Sequence, residues 1–157
     1  MYEYSLQKIR SIADYQFGKG VGAKFFSEDS KIIFSRNTGK IRYIYLENDL
    51  LATLRPTTGL FILTVSGAKR MMCEIESPKL WVKIEDEAEP FVSRGRSVFA
   101  KHVKEVDEEI RPNEEVIVIN SKNKVLAVGR ALLSGIEMKT FCKGVAVNVR
   151  HGVAEKS

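Results

Sequence analysis

Near the start of the chain, apolar residues recur at a helical period. Leu6, Ile9, Ile12 and Ala13 stand three or four apart, with Lys8, Arg10 and Asp14 between them, which predicts an amphipathic helix. Tyr15-Gln16-Phe17-Gly18 reads as its terminus, with the aromatics packing on a sheet, and Gly18, Gly20 and Gly22 break it. The period then shortens to that of strands. Lys31–Ser35, Ile41–Leu46, Leu50–Leu54 and Leu60–Val65 are short strand-like runs. The gaps between them hold Asn37-Thr38-Gly39, Asn48-Asp49 and Thr57-Thr58-Gly59, all turn chemistry. One helix followed by four strands with tight turns predicts an antiparallel meander covered by the helix on one face. Ser66 is placed to cap a second short helix running through Met72.

A boundary falls at Glu76-Ser77-Pro78-Lys79, because proline disfavours helix in the residue before it. It divides the chain into residues 1–76 and 77–157. Beyond it, Leu80–Ile84 alternates as a strand. Asp86–Arg94 reads as a short helix, acidic in its first turn and terminated by Gly95. Val98–Val106 reads as one long strand, with Val98, Phe99 and Val103 in the core, and Arg111-Pro112-Asn113-Glu114 as a turn. Val116–Ile119 and Val125–Val128 bracket Asn120-Ser121-Lys122-Asn123 as a hairpin, which Ala131–Leu133 extends. Ser134 and Glu137 form a capping box ahead of Met138 and Phe141. Gly144 ends that helix, and Val145–Val149 closes as a strand. Many short strands with two short helices predict a small mixed barrel, in which closure removes exposed edges. The fold class is therefore α+β.

Composition narrows the function. The chain is 44% hydrophobic, enough for packed cores. No apolar run approaches the roughly 20 residues that span a bilayer. Met1-Tyr2-Glu3-Tyr4 lacks the basic-then-apolar start of a signal peptide. A cytoplasmic protein without a membrane role is expected. Cys73, Cys142, His102 and His151 are isolated, so neither a zinc site nor another cofactor is expected. Both thiols read as reduced packing residues. The net charge of +5 permits attraction to nucleic acid without demanding it. The excess is even: residues 1–77 hold 11 basic and 8 acidic side chains, residues 78–157 hold 14 and 12. Gly18-Lys19-Gly20-Val21-Gly22 lacks the phosphate-loop pattern. No nucleophile elbow or other catalytic constellation is present.

Pro90-Phe91-Val92-Ser93-Arg94-Gly95-Arg96-Ser97-Val98-Phe99-Ala100-Lys101 resembles the helix-to-strand motif of PUA domains. The resemblance continues through Ile110-Arg111-Pro112, Glu115-Val116-Ile117-Val118, Ala127-Val128-Gly129-Arg130-Ala131-Leu132-Leu133-Ser134-Gly135 and Glu137-Met138. It closes with Gly144-Val145-Ala146-Val147 and Val149-Arg150-His151-Gly152. Together these are similar to the C-terminal PUA domain of archaeosine tRNA-guanine transglycosylases and archaeosine synthases. The first half, through Ala13-Asp14-Tyr15-Gln16-Phe17-Gly18, Thr38-Gly39-Lys40-Ile41-Arg42 and Gly59-Leu60-Phe61, resembles the cystatin-like pre-PUA domain of those enzymes. Their catalytic barrel, of roughly 250 residues, has no counterpart here.

The resemblance implies an RNA-binding chain without catalysis of its own, with tRNA the expected RNA. A tRNA-modifying enzyme subunit is a second expected partner, served with a PUA domain in trans. In that family the RNA lies against the first helix, the glycine loop and the strand after it. The expected contacts are Arg94, Gly95, Arg96, Ser97, Lys101 and His102, joined by Lys143, Arg150 and His151 near the closing strand. Arginine forks suit phosphate and can stack on bases, and glycine lets backbone amides approach closely. Each also has a plainer reading. Gly95 serves as a helix cap, the exposed cations as solvated surface, and Arg130 as a partner for Glu115 or another carboxylate.

Overall fold

A computed structural model describes residues 2–155 of the chain. They fall into two compact units that divide between Pro78 and Lys79. Among them, no helix is long and apolar enough to cross a membrane.

In the first unit, α1 (Tyr2–Phe17) buries Leu6, Ile9, Ala13 and Phe17, which is the predicted stripe extended by one turn except that Ile12 is half-buried. Tyr15 departs from expectation: it is 83% exposed, while its neighbour Phe17 is fully buried. The polar residue between them does the anchoring. Gln16 Nε2 donates to the Phe61 carbonyl at 2.9 Å, and its Oε1 accepts the Phe61 N–H at 2.7 Å. The side chain thus completes the backbone pairing of a sheet edge, which would otherwise carry buried unpaired groups. Next comes a short helix that the sequence pattern does not predict, α2 (Val21–Phe25). Its Gly22 N–H is held by Asp14 Oδ1 at 2.7 Å.

The sheet is the expected antiparallel meander, in order β1-β2-β3-β4. Its strands are β1 (Lys31–Phe34), β2 (Ile41–Leu46), β3 (Asp49–Leu54) and β4 (Phe61–Leu63). Helix α3 (Val65–Glu74) is capped by Thr64, not Ser66: Thr64 Oγ1 accepts the Gly67 N–H at 2.9 Å. The same hydroxyl donates to the Leu50 carbonyl at 2.5 Å, so the cap is fastened to β3. Ser66 is exposed.

The second unit is a nearly closed barrel of mixed strands. Its elements are β5 (Trp81–Ile84), α4 (Glu89–Val92), β6 (Val98–Phe99), β7 (Val103–Val106), β8 (Glu115–Ile119), β9 (Val125–Ala131), α5 (Gly135–Thr140) and β10 (Val145–Gly152). The order is β6-β10-β9-β8-β5-β7, with β5 and β8 parallel and every other pair antiparallel. Every residue of β8 is buried, so Val116–Ile119 reads as a continuous apolar run instead of an alternating one, with Glu115 a buried carboxylate ahead of it. The predicted capping box is present: Ser134 Oγ accepts the Glu137 N–H at 3.1 Å, and Glu137 Oε1 accepts the Ser134 N–H at 2.9 Å.

Two expectations in this half are corrected. The helix expected over Asp86–Arg94 is a 3-10 turn, Asp86–Ala88, running into the four-residue α4. The single strand expected over Val98–Val106 is broken by a 3-10 turn at Ala100–His102. The break lets one stretch of chain serve both ends of the sheet order, as β6 against β10 and as β7 against β5. The cysteines are free, as expected, but both are exposed and not packed.

Candidate nucleic-acid interface

Helix α4 ends in a cap made by its own backbone. Gly95 sits at φ 104°, in the left-handed region. Its N–H donates to the Val92 carbonyl at 3.0 Å, and the Arg96 N–H donates to the Phe91 carbonyl at 3.1 Å. This pair of bonds closes a helix over a left-handed residue. The Arg94 N–H is also spent, on the Phe91 carbonyl at 3.2 Å. The expectation of bare amides at this turn is therefore corrected, because capping consumes them. What the turn offers to solvent is side chains. Arg94 and Arg96 are exposed, and Ser97 is half-buried.

The end of β10 is pressed onto the same turn. A Cβ on Gly152 would run into the Ser93 carbonyl oxygen and stand 2.8 Å from the Gly95 nitrogen, so only glycine permits this approach. Ala154 N–H donates to that Ser93 carbonyl at 2.8 Å. Farther along, Val98 and Phe99 pair with Val147 and Val145, and Ala100 N–H donates to the Gly144 carbonyl at 2.9 Å. Lys101 and Lys143, both exposed, thus sit on adjoining segments at the other end of β10. The eight residues of β10 extend roughly 25 Å at ~3.3 Å each. β10 is thus a lane of that length, with Arg94 and His151 beside one end and Lys101 and Lys143 beside the other.

Aromatic rings accompany the cations. Phe91 is 60% exposed and Phe99 48% exposed, the latter against the expectation of a core position. Val98 is buried as expected, and Val103 is half-buried. Phe99 meets the His102 ring nearly edge-on, with centroids 6.3 Å apart. Lys101 and His102, expected on a strand, lie instead in the 3-10 turn at the lane's end.

Carboxylates divide the nine candidate residues. Among the described residues, Arg94, Arg96, Lys101 and Lys143 take part in no ion pair. His102 Nε2 lies 3.9 Å from Glu87 Oε1, and His151 Nδ1 lies 3.2 Å from Glu155 Oε2. The Glu155 side chain folds back over the glycine turn. Its Oε1 comes to 3.4 Å from where a Cβ on Gly95 would be, and its Oε2 accepts the Gly152 N–H at 3.3 Å. Arg150 is bound inward: its Nη1 donates to Glu115 Oε1 at 2.9 Å and its Nη2 to Glu115 Oε2. Arg130 stands opposite Glu115 in the ladder, yet the fork that grips Glu115 is that of Arg150. Arg150 lies where the register between β10 and β9 slips, between Val149 and His151, a displacement that sequence periodicity does not reveal.

Among the described residues, no group of three or more His, Cys, Asp or Glu is placed to hold a metal ion. The arrangement is suited to holding an anionic chain along exposed guanidinium and ammonium groups, with rings available for stacking.

Two family models match the chain. The patch-forming domain C2 of tRNA-guanine transglycosylase matches residues 7–78, and the PUA domain matches residues 80–153. The tRNA-guanine(15) transglycosylase of Methanothermobacter thermautotrophicus is 44% identical over 94% of this chain and 22% of its own length. That of Pyrococcus furiosus is 42% identical over 98% of this chain and 26% of its own. The chain thus spans about a quarter of the length of the curated relatives it matches. Among solved structures, a hypothetical protein from Pyrococcus horikoshii OT3 shares the fold, with a TM-score of 0.78 and 24% identity over 98% of this chain and 93% of that one. A PUA domain protein from Thermoplasma acidophilum does so at a TM-score of 0.70 and 17% identity, over 99% and 93%.

Proposed function

This chain belongs to the family that joins a tRNA-guanine transglycosylase C2 domain to a PUA domain, and from that premise we propose that it is a non-catalytic module that binds structured RNA, tRNA first among candidates, in the cytoplasm. The observation that carries the reading is the glycine-capped turn of α4, seated on Gly152. It sets two exposed arginines, Arg94 and Arg96, which form no ion pair among the described residues, beside exposed Phe91 at the head of the β10 lane. Lys101 and Lys143 continue the lane, and Ser97 and His102 border it. Arg150 contributes by holding β10 in place and not by touching RNA. Arg94, Arg96, Lys101 and Lys143 would neutralise up to four phosphates, so affinity should fall with salt at a log–log slope of about 3–4.

The test is a fluorescence-anisotropy titration of labelled tRNA at low salt. Arg94→Glu with Arg96→Glu should weaken binding at least about tenfold, because each reversed charge repels a phosphate, with thermal unfolding unchanged. Undiminished binding by that folded variant would remove the turn as the contact surface. Failure of the unaltered chain to bind any folded RNA would end the reading altogether.

A second reading starts from the matched domains. The C2 and PUA domains that this chain resembles accompany transglycosylase chemistry in the curated relatives, as suits a chain that docks on a separate tRNA-modifying enzyme and supplies its PUA domain in trans. Tagged chain recovered from its native source should then carry a modifying enzyme with it. Recovery of tRNA alone favours the stand-alone module.

A further inference from the structure

In the first unit, charge is sorted between the two ends of the meander sheet. Between Asp29 and Glu47, and again between Asp49 and Glu74, the sequence contains no acidic residue. Antiparallel pairing places the β1–β2 turn and the β3–β4 turn at one end of the sheet. Glu28 and Asp29 precede β1, and Glu47 and Asp49 bound the β2–β3 turn, so these acids gather at the opposite end. The acid-free end borders a cleft of about 790 Å³ between α1 and the sheet. Five cations line it, Lys8, Arg36, Lys40, Arg42 and Arg55, and no acidic residue does. Among the described residues none of the five is in an ion pair. Like charges gathered without counter-charges cost free energy, which an anionic ligand would recover.

The turns that carry Arg36, Lys40 and Arg55 are built alike, each closed by backbone hydrogen bonds. In the first, Ser35 N–H donates to the Lys40 carbonyl at 2.7 Å and Gly39 N–H to the Ser35 carbonyl at 2.9 Å. In the second, Arg55 N–H donates to the Leu60 carbonyl at 2.9 Å and Gly59 N–H to the Arg55 carbonyl at 2.8 Å. Thr38 and Thr58 hydroxyl oxygens accept the N–H groups of Lys40 and Leu60, two residues on, in the same way. The cleft also presents rings: Phe34 is 48% exposed and Tyr43 36%. The Arg42 guanidinium lies 5.7 Å from the Tyr43 ring centroid. Cations on a firm scaffold, interleaved with exposed aromatics, match the requirements of a single strand: phosphates to pair and unstacked bases to stack.

From this we infer that the first unit carries its own binding site for a single-stranded polynucleotide, in the cleft between α1 and the twin turns, with Arg36, Lys40 and Arg55 on phosphates and Tyr43 and Phe34 under bases. The site uses no residue of the glycine turn or the β10 lane, so it stands or falls apart from the function proposed above.

The experiment uses the full chain and a labelled, unstructured oligo(U) of about ten nucleotides, within the span such sites cover. Arg36→Gln with Arg55→Gln alters two exposed turn positions. It should weaken oligo(U) binding at least about tenfold and reduce the log–log salt slope by about 1.4, two contacts at ~0.7 each. Tyr43→Ala should cost about tenfold through lost stacking. Arg94→Glu with Arg96→Glu should leave oligo(U) binding within about twofold, though it weakens folded RNA. Oligo(dT) bound more weakly than oligo(U) would assign the cleft to RNA; equal binding would assign it to single strands of either sugar. The inference is overturned if the unaltered chain ignores oligo(U) at low salt, if the Arg36/Arg55 variant binds normally, or if polyglutamate of equal charge competes as well as the oligonucleotide.

Discussion

The pair between Arg150 and Glu115 separates a structural arginine from an RNA-binding one, and its removal can be worked through. The Glu115 side chain is 7% exposed, on a strand whose every residue is buried, and the Arg150 fork supplies two of its hydrogen bonds. Arg150→Met keeps the bulk of the stem and deletes the guanidinium. It leaves a buried carboxylate short of its bidentate partner, a loss that typically costs about 3–5 kcal/mol. The Arg150 side chain is 30% exposed, so water can replace part of the fork, and about 3 kcal/mol is expected. Trp81 is the chain's single tryptophan, and it pairs with Ile117 of β8, so its fluorescence reports the barrel and not the first unit. With a urea m-value of about 1–1.5 kcal/mol/M for a barrel of this size, the midpoint should fall by about 2–3 M. Adding Glu115→Gln should restore much of the loss, giving a coupling of about 1–2 kcal/mol in the double-mutant cycle. Below the transition, tRNA affinity should stay within about twofold of the unaltered chain, since one phosphate contact at most is in question. A midpoint shift under about 0.5 M, or a large loss of affinity in the folded variant, would refute the argument.

Three further outcomes rest on single contacts. Gln16→Ala strips the Phe61 N–H and carbonyl of their buried partner, so the first unit should lose about 2–4 kcal/mol, and hydrogen exchange at the Phe61 amide should accelerate accordingly. Glu155→Gln removes the carboxylate that folds over Gly95 and faces His151. tRNA affinity at low salt should rise about fivefold, the Coulomb effect of one charge a few ångströms from a phosphate, and the gain should fade above ~0.3 M salt. A loss of affinity would show that Glu155 holds the site together. Thr64→Ala should cost about 1 kcal/mol or more, because the hydroxyl both caps α3 and ties it to β3, whereas Ser66→Ala should be near neutral in the same thermal melt.

Much of what depends on neighbours three or four residues apart was readable from the chain itself. The buried stripe of α1, the turns at residues 35–40 and 55–60, the Ser134–Glu137 box and the glycine stop at Gly95 are local, set by backbone sterics and short hydrogen bonds. The family likeness likewise reached across both halves. What sequence order could not supply is distance in space. Glu115 and Arg150 lie 35 positions apart, and Gln16 and Phe61 lie 45 apart. Thr64 outcompeted Ser66 as a cap because the sheet held its hydroxyl. Val98–Val106 has the composition of one strand, yet it had to bend so that β6 and β7 could join the two ends of the barrel. The cationic cleft also belongs to the tertiary structure: two acid-free segments, separated along the chain by Glu47 and Asp49, become one positive surface only when antiparallel pairing brings alternate turns to the same end.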